Sequence, residues 1–162
     1  MSTQVSASVI TSQTGHDTLG GSHMRFIVQG HDVVLFSPGS DHNHIDLQKG
    51  GAVFLSGTNN TVNGRGDIAV AELGPQSNHN TFVIGPGVTS FSGSNTQPSD
   101  VFRLYGFTRE DIASAFASKR QASPHAELLT LSHPGGATVR VALGFEHPGD
   151  APTIAQFHLV PG

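Results

Sequence analysis

Short apolar runs alternate with polar turns at a nearly constant interval through the middle of the chain. One set begins at Val33 (VVLF), Ala52 (AVFL), Ile68 (IAVA) and Val88 (VTSF), spaced by 19, 16 and 20 residues. A second set lies between them, each run introduced by asparagine: Asn43-His44-Ile45-Asp46-Leu47, Asn60-Thr61-Val62-Asn63-Gly64 and Asn80-Thr81-Phe82-Val83-Ile84. Within each run the apolar residues alternate with polar or small ones, the period of a strand with one buried face. Every run is too short to bury a face alone. A unit of about 20 residues that repeats is the length of one solenoid coil, in which each strand pairs with its equivalent one turn away.

The pattern therefore predicts an all-β chain: a right-handed parallel β-solenoid, the hand that parallel crossovers favour. Its coils span residues 26–104, after a polar lead-in with one degenerate repeat over residues 1–25. Asn43, Asn60 and Asn80 are expected to stack as a ladder, since their amides both donate and accept and asparagine tolerates a left-handed backbone. After Asp100 the pattern changes. Val101–Leu104 reads as a further strand, and a helix is predicted from Arg109 to about Arg120. Thr108 is its N-cap, Glu110 and Asp111 lie in its first turn, and Ile112, Ala115, Phe116 and Lys119 share one face. Leu128–Leu131 and Ala137–Leu143, separated by Pro134-Gly135-Gly136, read as a hairpin, and Thr153–Val160 as a last strand. Residues 105–162 thus form a C-terminal cap of one short helix and a β-hairpin.

Composition sharpens this picture. Charged residues are only 12% of the chain and glycine accounts for 20 of its 162 residues, which describes many turns and polar but uncharged outer faces rather than a disordered polyelectrolyte. Net charge is −4 and the eight lysines and arginines are scattered, so no basic stripe exists for nucleic acid. No cysteine is present, which excludes thiol chemistry and disulfide staples. No apolar run is long enough for a membrane span. Ten histidines make the charge of the outer faces sensitive to pH near their usual titration range.

The second half resembles the C-terminal region of the repeats-in-toxin (hemolysin-type) secreted proteins. Asp100-Val101-Phe102-Arg103-Leu104-Tyr105-Gly106-Phe107 is similar to the strand that ends that family's β-roll. Glu110-Asp111-Ile112 falls at its short helix, and Leu129-Thr130-Leu131-Ser132 with Gly135-Gly136-Ala137-Thr138-Val139-Arg140-Val141 at its two-strand element. The likeness covers about residues 95–145, and Gly15-His16-Asp17-Thr18-Leu19-Gly20-Gly21 resembles one copy of the family's calcium repeat. The resemblance implies calcium as cofactor, held near Asp17 or by Asp41 and Asp46. It also implies a secreted, extracellular protein. Because Met1 to Thr14 lacks the Lys or Arg of a classical leader, the implied route is leaderless one-step export. Asn43, Asn60 and Asn80 stand where the family's later coils carry the ligand aspartate, and a neutral amide is a poor calcium ligand.

From the residues alone, His42 and His44 are two apart and share a strand face, where Asp41 or Asp46 completes a set suited to a transition metal. His79 falls in the equivalent turn of a later coil. Arg65-Gly66-Asp67 is a tripeptide that some surface receptors read, and it is also ordinary turn chemistry. G-x-S-x-G is absent, and a carboxylate pair would have to arise from stacked coils, where Asp46 and Asp67 do not fall at equivalent positions of the repeat. Two functions follow. One is a non-catalytic extracellular module that binds a polysaccharide or surface, or assembles with copies of itself through the solenoid ends. The other is a polysaccharide-modifying enzyme of lyase or epimerase type, or its calcium-dependent targeting module, which requires His42, His44, Arg65 and His79 to gather in one groove.

Overall fold

The computed structural model describes residues 6–10, 16–74, 76–136 and 138–160. The chain coils. β1 (Ser6–Ile10), β3 (Met24–Val28), β5 (His44–Leu47), β7 (Thr61–Gly64), β9 (Thr81–Ile84) and β11 (Val101–Tyr105) form one sheet in that order. β2 (His16–Leu19), β4 (Asp32–Phe36), β6 (Gly51–Leu55), β8 (Gly66–Glu72) and β10 (Val88–Ser94) form the other. Every neighbouring pair among these strands is parallel. Each coil thus gives one strand to each sheet, the parallel β-solenoid that the repeat predicts, and β1 and β2 extend it into the N-terminal segment.

Alternation decides which side chains face in. Ile45 and Leu47 on β5, Val53 and Leu55 on β6, and Phe82 and Ile84 on β9 are buried, while the residues between them are not. The two inner faces make one continuous core from Phe26 to Phe157. Toward the C-terminal end it becomes aromatic. Phe82, Phe91 and Phe102 lie with centroids 5.3–5.7 Å apart, Phe102 stacks on Phe157 at 4.7 Å, and Phe116 meets Phe157 edge-on at 5.3 Å. Each such pair adds about 1 kcal/mol beyond the area it buries. At Gly64 the inward position stays empty of a side chain because Leu47 O and the tip of Ile68 occupy it, 2.5 and 3.2 Å from where a Cβ would stand.

The C-terminal segment is more than a cap. After β11 come α1 (Arg109–Ala117), β12 (Arg120–Ser123), β13 (Ala126–Ser132), β14 (Thr138–Gly144) and β15 (Phe157–Val160). β13 and β14 are the antiparallel hairpin foreseen in the sequence. Yet β14 also lies parallel to β10, and β15 parallel to β11. These two strands continue the winding, and α1, β12 and β13 are inserted between β11 and β14. β13 and then β12 add antiparallel to the edge that β14 would otherwise leave open, one of the standard ways of blunting a sheet edge.

α1 buries Ile112 and Ala115 against the end of the core. Its N-cap is Thr108, as the sequence predicts. Thr108 Oγ1 accepts from Asp111 N at 3.2 Å, and Asp111 Oδ2 accepts from Thr108 N at 2.8 Å, a reciprocal capping box. The helix stops at Ala117, earlier than expected, because Arg120 already pairs with β13. Thr108→Ala is expected to cost about 1 kcal/mol, visible as a fall of a few degrees in the thermal midpoint. An unchanged midpoint would show that packing on β13 alone sets the helix start.

Candidate functional site

The coil corner that leads into the first sheet carries the asparagine ladder. Asn60 Oδ1 accepts from Asn43 N at 2.9 Å, Asn80 Oδ1 from Asn60 N at 2.9 Å, and Asp100 Oδ1 from Asn80 N at 3.0 Å. At the other end Asn43 Oδ1 accepts from Met24 N at 3.0 Å. The amide nitrogens donate to carbonyls of the preceding loop: Asn43 to Gly21, Asn60 to Ser40, Asn80 to Gly57. The three asparagines stack as expected, but the left-handed residue is the one before each. His42, Asn59 and His79 have φ of 56°, 58° and 53°, and His23 matches them at 57°. The turn is completed one residue early so that the asparagine enters its strand with its N–H aimed along the ladder.

The ladder ends on a buried carboxyl pair that the sequence reading did not find. Glu72 and Asp100 are each 1% exposed. Glu72 Oε1 accepts from Asn80 Nδ2 at 2.6 Å, while Glu72 Oε2 is buried without a donor. Burial, then the adjacent Asp100, pushes the Glu72 carboxyl far above its ordinary range. Burial raises Asp100 as well, opposed by its bonds to Glu72 and to the backbone N–H groups of Gln97 and Asn80. Both Asp100 oxygens accept backbone N–H groups, from Asn80 and Gln97, so Glu72, with Oε2 free of any donor, is the member of the pair placed to carry a proton. Both are sealed from solvent and tied into the ladder, so the pair is structural. Asp46 and Asp67, the pair considered from sequence, lie on different sheets.

Outside this corner, His23 and His42 stack at 4.8 Å between ring centroids. With His44, Asn59 and Thr61 they line a shallow groove of about 630 Å³. His42 does not share a strand with His44 as the spacing suggested: β5 begins at His44, and His42 is in the turn. His44 lies beside Arg25, and burial followed by that guanidinium lowers its pKa, against the pull of Asp46. Asp41 turns away to accept from Thr58 N at 2.8 Å. Asp17 falls on β2, and its side chain lies outside the described residues. Among the described residues no three His, Asp or Glu side chains converge in a way that could hold a metal. Of the set Asp41, His42, His44 and Asp46, the two histidines line the groove, Asp46 follows His44 on the outward side of β5, and Asp41 is engaged by Thr58 N.

Arg65-Gly66-Asp67 forms the opposite corner of the coil. Gly66 has φ 72° and donates to Gly87 O at 2.8 Å. Asp67 accepts from Ser90 Oγ and Thr89 Oγ1, both at 2.8 Å, and these bonds hold its carboxyl below the ordinary range. Arg65 follows the end of β7 whereas His42, His44 and His79 stand at or just before the starts of first-sheet strands, so a strand's length separates them and the four do not form one groove. A carboxylate–imidazole contact does occur in the C-terminal segment: His133 Nδ1 lies 2.7 Å from Asp111 Oδ2. That oxygen also caps α1, so the contact fastens the hairpin turn to the helix start.

The outer face of the eight-stranded sheet crosses more strands than that of the seven-stranded one. Its strand register aligns a row of small and apolar side chains: Val33, Ala52, Ala69, Ser92, Ala142 and Leu128, ending at Arg120. A parallel row runs Asp67, Ser90, Arg140, Thr130. Leu35 and Leu128, each about 40% exposed, are large apolar side chains left open on this face, and half-buried Phe54 lies beside Leu35. Sequence alternation marks these residues as outward, but only the register of the five parallel strands β4, β6, β8, β10 and β14 with the inserted β13 and β12 puts them on one floor. Among the described residues no helix is long and apolar enough to cross a membrane. Comparison with family models, curated proteins and solved structures finds no match for the chain.

Proposed function

We propose that the chain is a secreted, non-catalytic β-solenoid module, akin to the repeats-in-toxin proteins, that binds an extracellular polysaccharide through the outer face of its eight-stranded sheet. The observation that carries this reading is the register-aligned floor from Val33 to Leu128. It is an open sheet face, regularly spaced by the strand repeat, with the hydroxyls of Ser90, Ser92 and Thr130 beside it. An open face suits an extended polymer, whereas a small molecule is usually enclosed on most sides. The groups an enzyme of this chain would use are distributed between opposite corners of the coil or consumed by the ladder. An apolar, continuous core supports reading calcium as a local clamp on the coils rather than as the main source of their cohesion.

Self-assembly is a second reading with its own observation. β1 and β15 are the terminal strands of the first sheet, and an open parallel edge is a template for another copy. Retention on immobilised polysaccharides, with light scattering on the same sample, tests both. Binding to at least one polysaccharide is expected, abolished when Ala69 and Ala142 are replaced by glutamate. A monomer at high concentration that no polysaccharide retains would overturn the module altogether.

A further inference from the structure

At its C-terminal end the outer face of the eight-stranded sheet deepens into a cleft of about 590 Å³ lined by Ser90, Ser92, Arg120, Leu128, Thr130 and Arg140. Arg120 and Arg140 are two strands and two residues apart in the antiparallel register, about 12 Å across the face at ~4.8 Å per strand and ~3.4 Å per residue. Neither guanidinium has an ion pair or a hydrogen bond among the described residues. No acidic side chain lines the cleft. The nearest acid in the row, Asp67, lies in the adjoining depression and is already held by Ser90 and Thr89. Lys119, the neighbouring cation, is turned to Glu127 at 3.3 Å.

We infer that this cleft is an anion-recognising subsite, and that the polysaccharide bound by the module is an acidic one, carrying carboxylate or sulfate on its sugar rings. The inference rests on the polysaccharide-binding reading above and narrows its ligand. Guanidinium groups bind such anions through paired N–H donors. Between the two arginines, Leu128 is 41% exposed and offers an apolar patch for the C–H face of a sugar, while the Ser92 and Thr130 hydroxyls are placed to meet ring hydroxyls. An acidic peptide fits less well. The cleft lies on the face of the sheet, and of the strands beneath it only β12, the terminal one, has an unpaired side, so a peptide main chain could add only beyond Arg120 and not over the cleft floor.

The test is calorimetric titration of the full chain with four probes: an oligogalacturonate, a sulfated dextran oligosaccharide, an uncharged cello-oligosaccharide and polyglutamate. The expected result is binding of one or both anionic saccharides, weakened at least tenfold in the Arg120→Gln/Arg140→Gln double variant. Arg103→Gln, on the outer face of the other sheet, is expected to leave binding unchanged. Both cleft arginines are exposed, so the double variant is expected to melt like the parent. The stronger of the two anionic saccharides identifies the acid group. Equal binding by parent and double variant overturns the subsite, as does polyglutamate binding as tightly as either saccharide. Binding of the uncharged oligosaccharide alone overturns it while leaving the polysaccharide-binding module standing. Retention of no saccharide overturns both.

Discussion

Asn60→Ala is expected to lower the free energy of unfolding by about 4 kcal/mol, a large loss for one exchange of a polar side chain. Asn60 is 1% exposed. Its Oδ1 is the acceptor for Asn43 N at 2.9 Å and its Nδ2 the donor to Ser40 O at 3.0 Å. Alanine leaves both backbone groups buried without partners, and each such group costs about 1–3 kcal/mol. The ladder is also a chain of bonds in which each amide fixes the strand start of the coil before it, so the loss falls on the register of two coils. Asn43→Ala is expected to cost less, because the Met24 N–H and Gly21 carbonyl that it would release are only partly buried. Urea unfolding of the two variants against the parent provides the measurement. A loss below about 1 kcal/mol at Asn60, or a larger loss at Asn43, would show that the ladder is incidental to the winding.

That ladder is also the part of the fold most legible in the sequence. The asparagines recur in phase with apolar alternation, and two periodicities that agree leave few alternatives to stacked coils. What the sequence could not specify is pairing direction. Val139, Val141 and Leu143 alternate in the same way whether β14 pairs only with β13 or also with β10, so the return of β14 and β15 to the solenoid was hidden. β12 was invisible for another reason: Arg120-Gln121-Ala122-Ser123 has no apolar alternation and is exposed throughout. It is a strand only because β13 offers it an edge. The left-handed positions fall one residue before the ladder, at His23, His42, Asn59 and His79; histidine and asparagine are both enriched there, so residue type alone did not separate the turn residue from the ladder asparagine that follows it.

The candidate site was less legible than the fold. Its metal candidates are adjacent in sequence, but adjacency at a coil corner does not bring three ligands together: Asp41 is engaged by Thr58 N while His42 and His44 line the groove. The cleft arginines stand 20 residues apart and meet only because an inserted hairpin lays β12, β13 and β14 side by side. The Glu72–Asp100 pair is the opposite case. Its signal was present in the spacing, since Asp100 follows Asn80 by the same 20 residues that separate Asn80 from Asn60. Asp100 is the ladder's next member with a carboxyl in place of an amide, and a buried carboxylate at that position needs a proton-bearing neighbour.

Glu72 is that neighbour, and replacing it by glutamine is expected to stabilise the protein at neutral pH. Glu72 keeps its proton when folded, because burial and the adjacent Asp100 raise its pKa, and releases it when unfolded. The folded state therefore binds more protons than the unfolded state, and stability from this group is greatest below the unfolded pKa of about 4.5 and falls as pH rises above it. By pH 7 the loss has reached about 3 kcal/mol, at 1.36 kcal/mol for each unit above that pKa. Glutamine has the same shape, its carbonyl oxygen accepting from Asn80 Nδ2 and its amide donating to Asp100 with no proton to take up. Glu72→Gln is expected to match the parent near pH 4, to exceed it by about 3 kcal/mol at pH 7, and to flatten the decline between pH 5 and 8. Denaturant melts at pH 4, 6 and 8 decide it. A parent whose stability does not fall over that range, or a glutamine variant no more stable at pH 7, would mean that Glu72 is ionised in the fold and that water or a cation, not a shared proton, reconciles the two carboxyls. Glu72→Leu is expected to be worse than either at every pH, because the Asp100 carboxylate and the Asn80 amide would then face an apolar group.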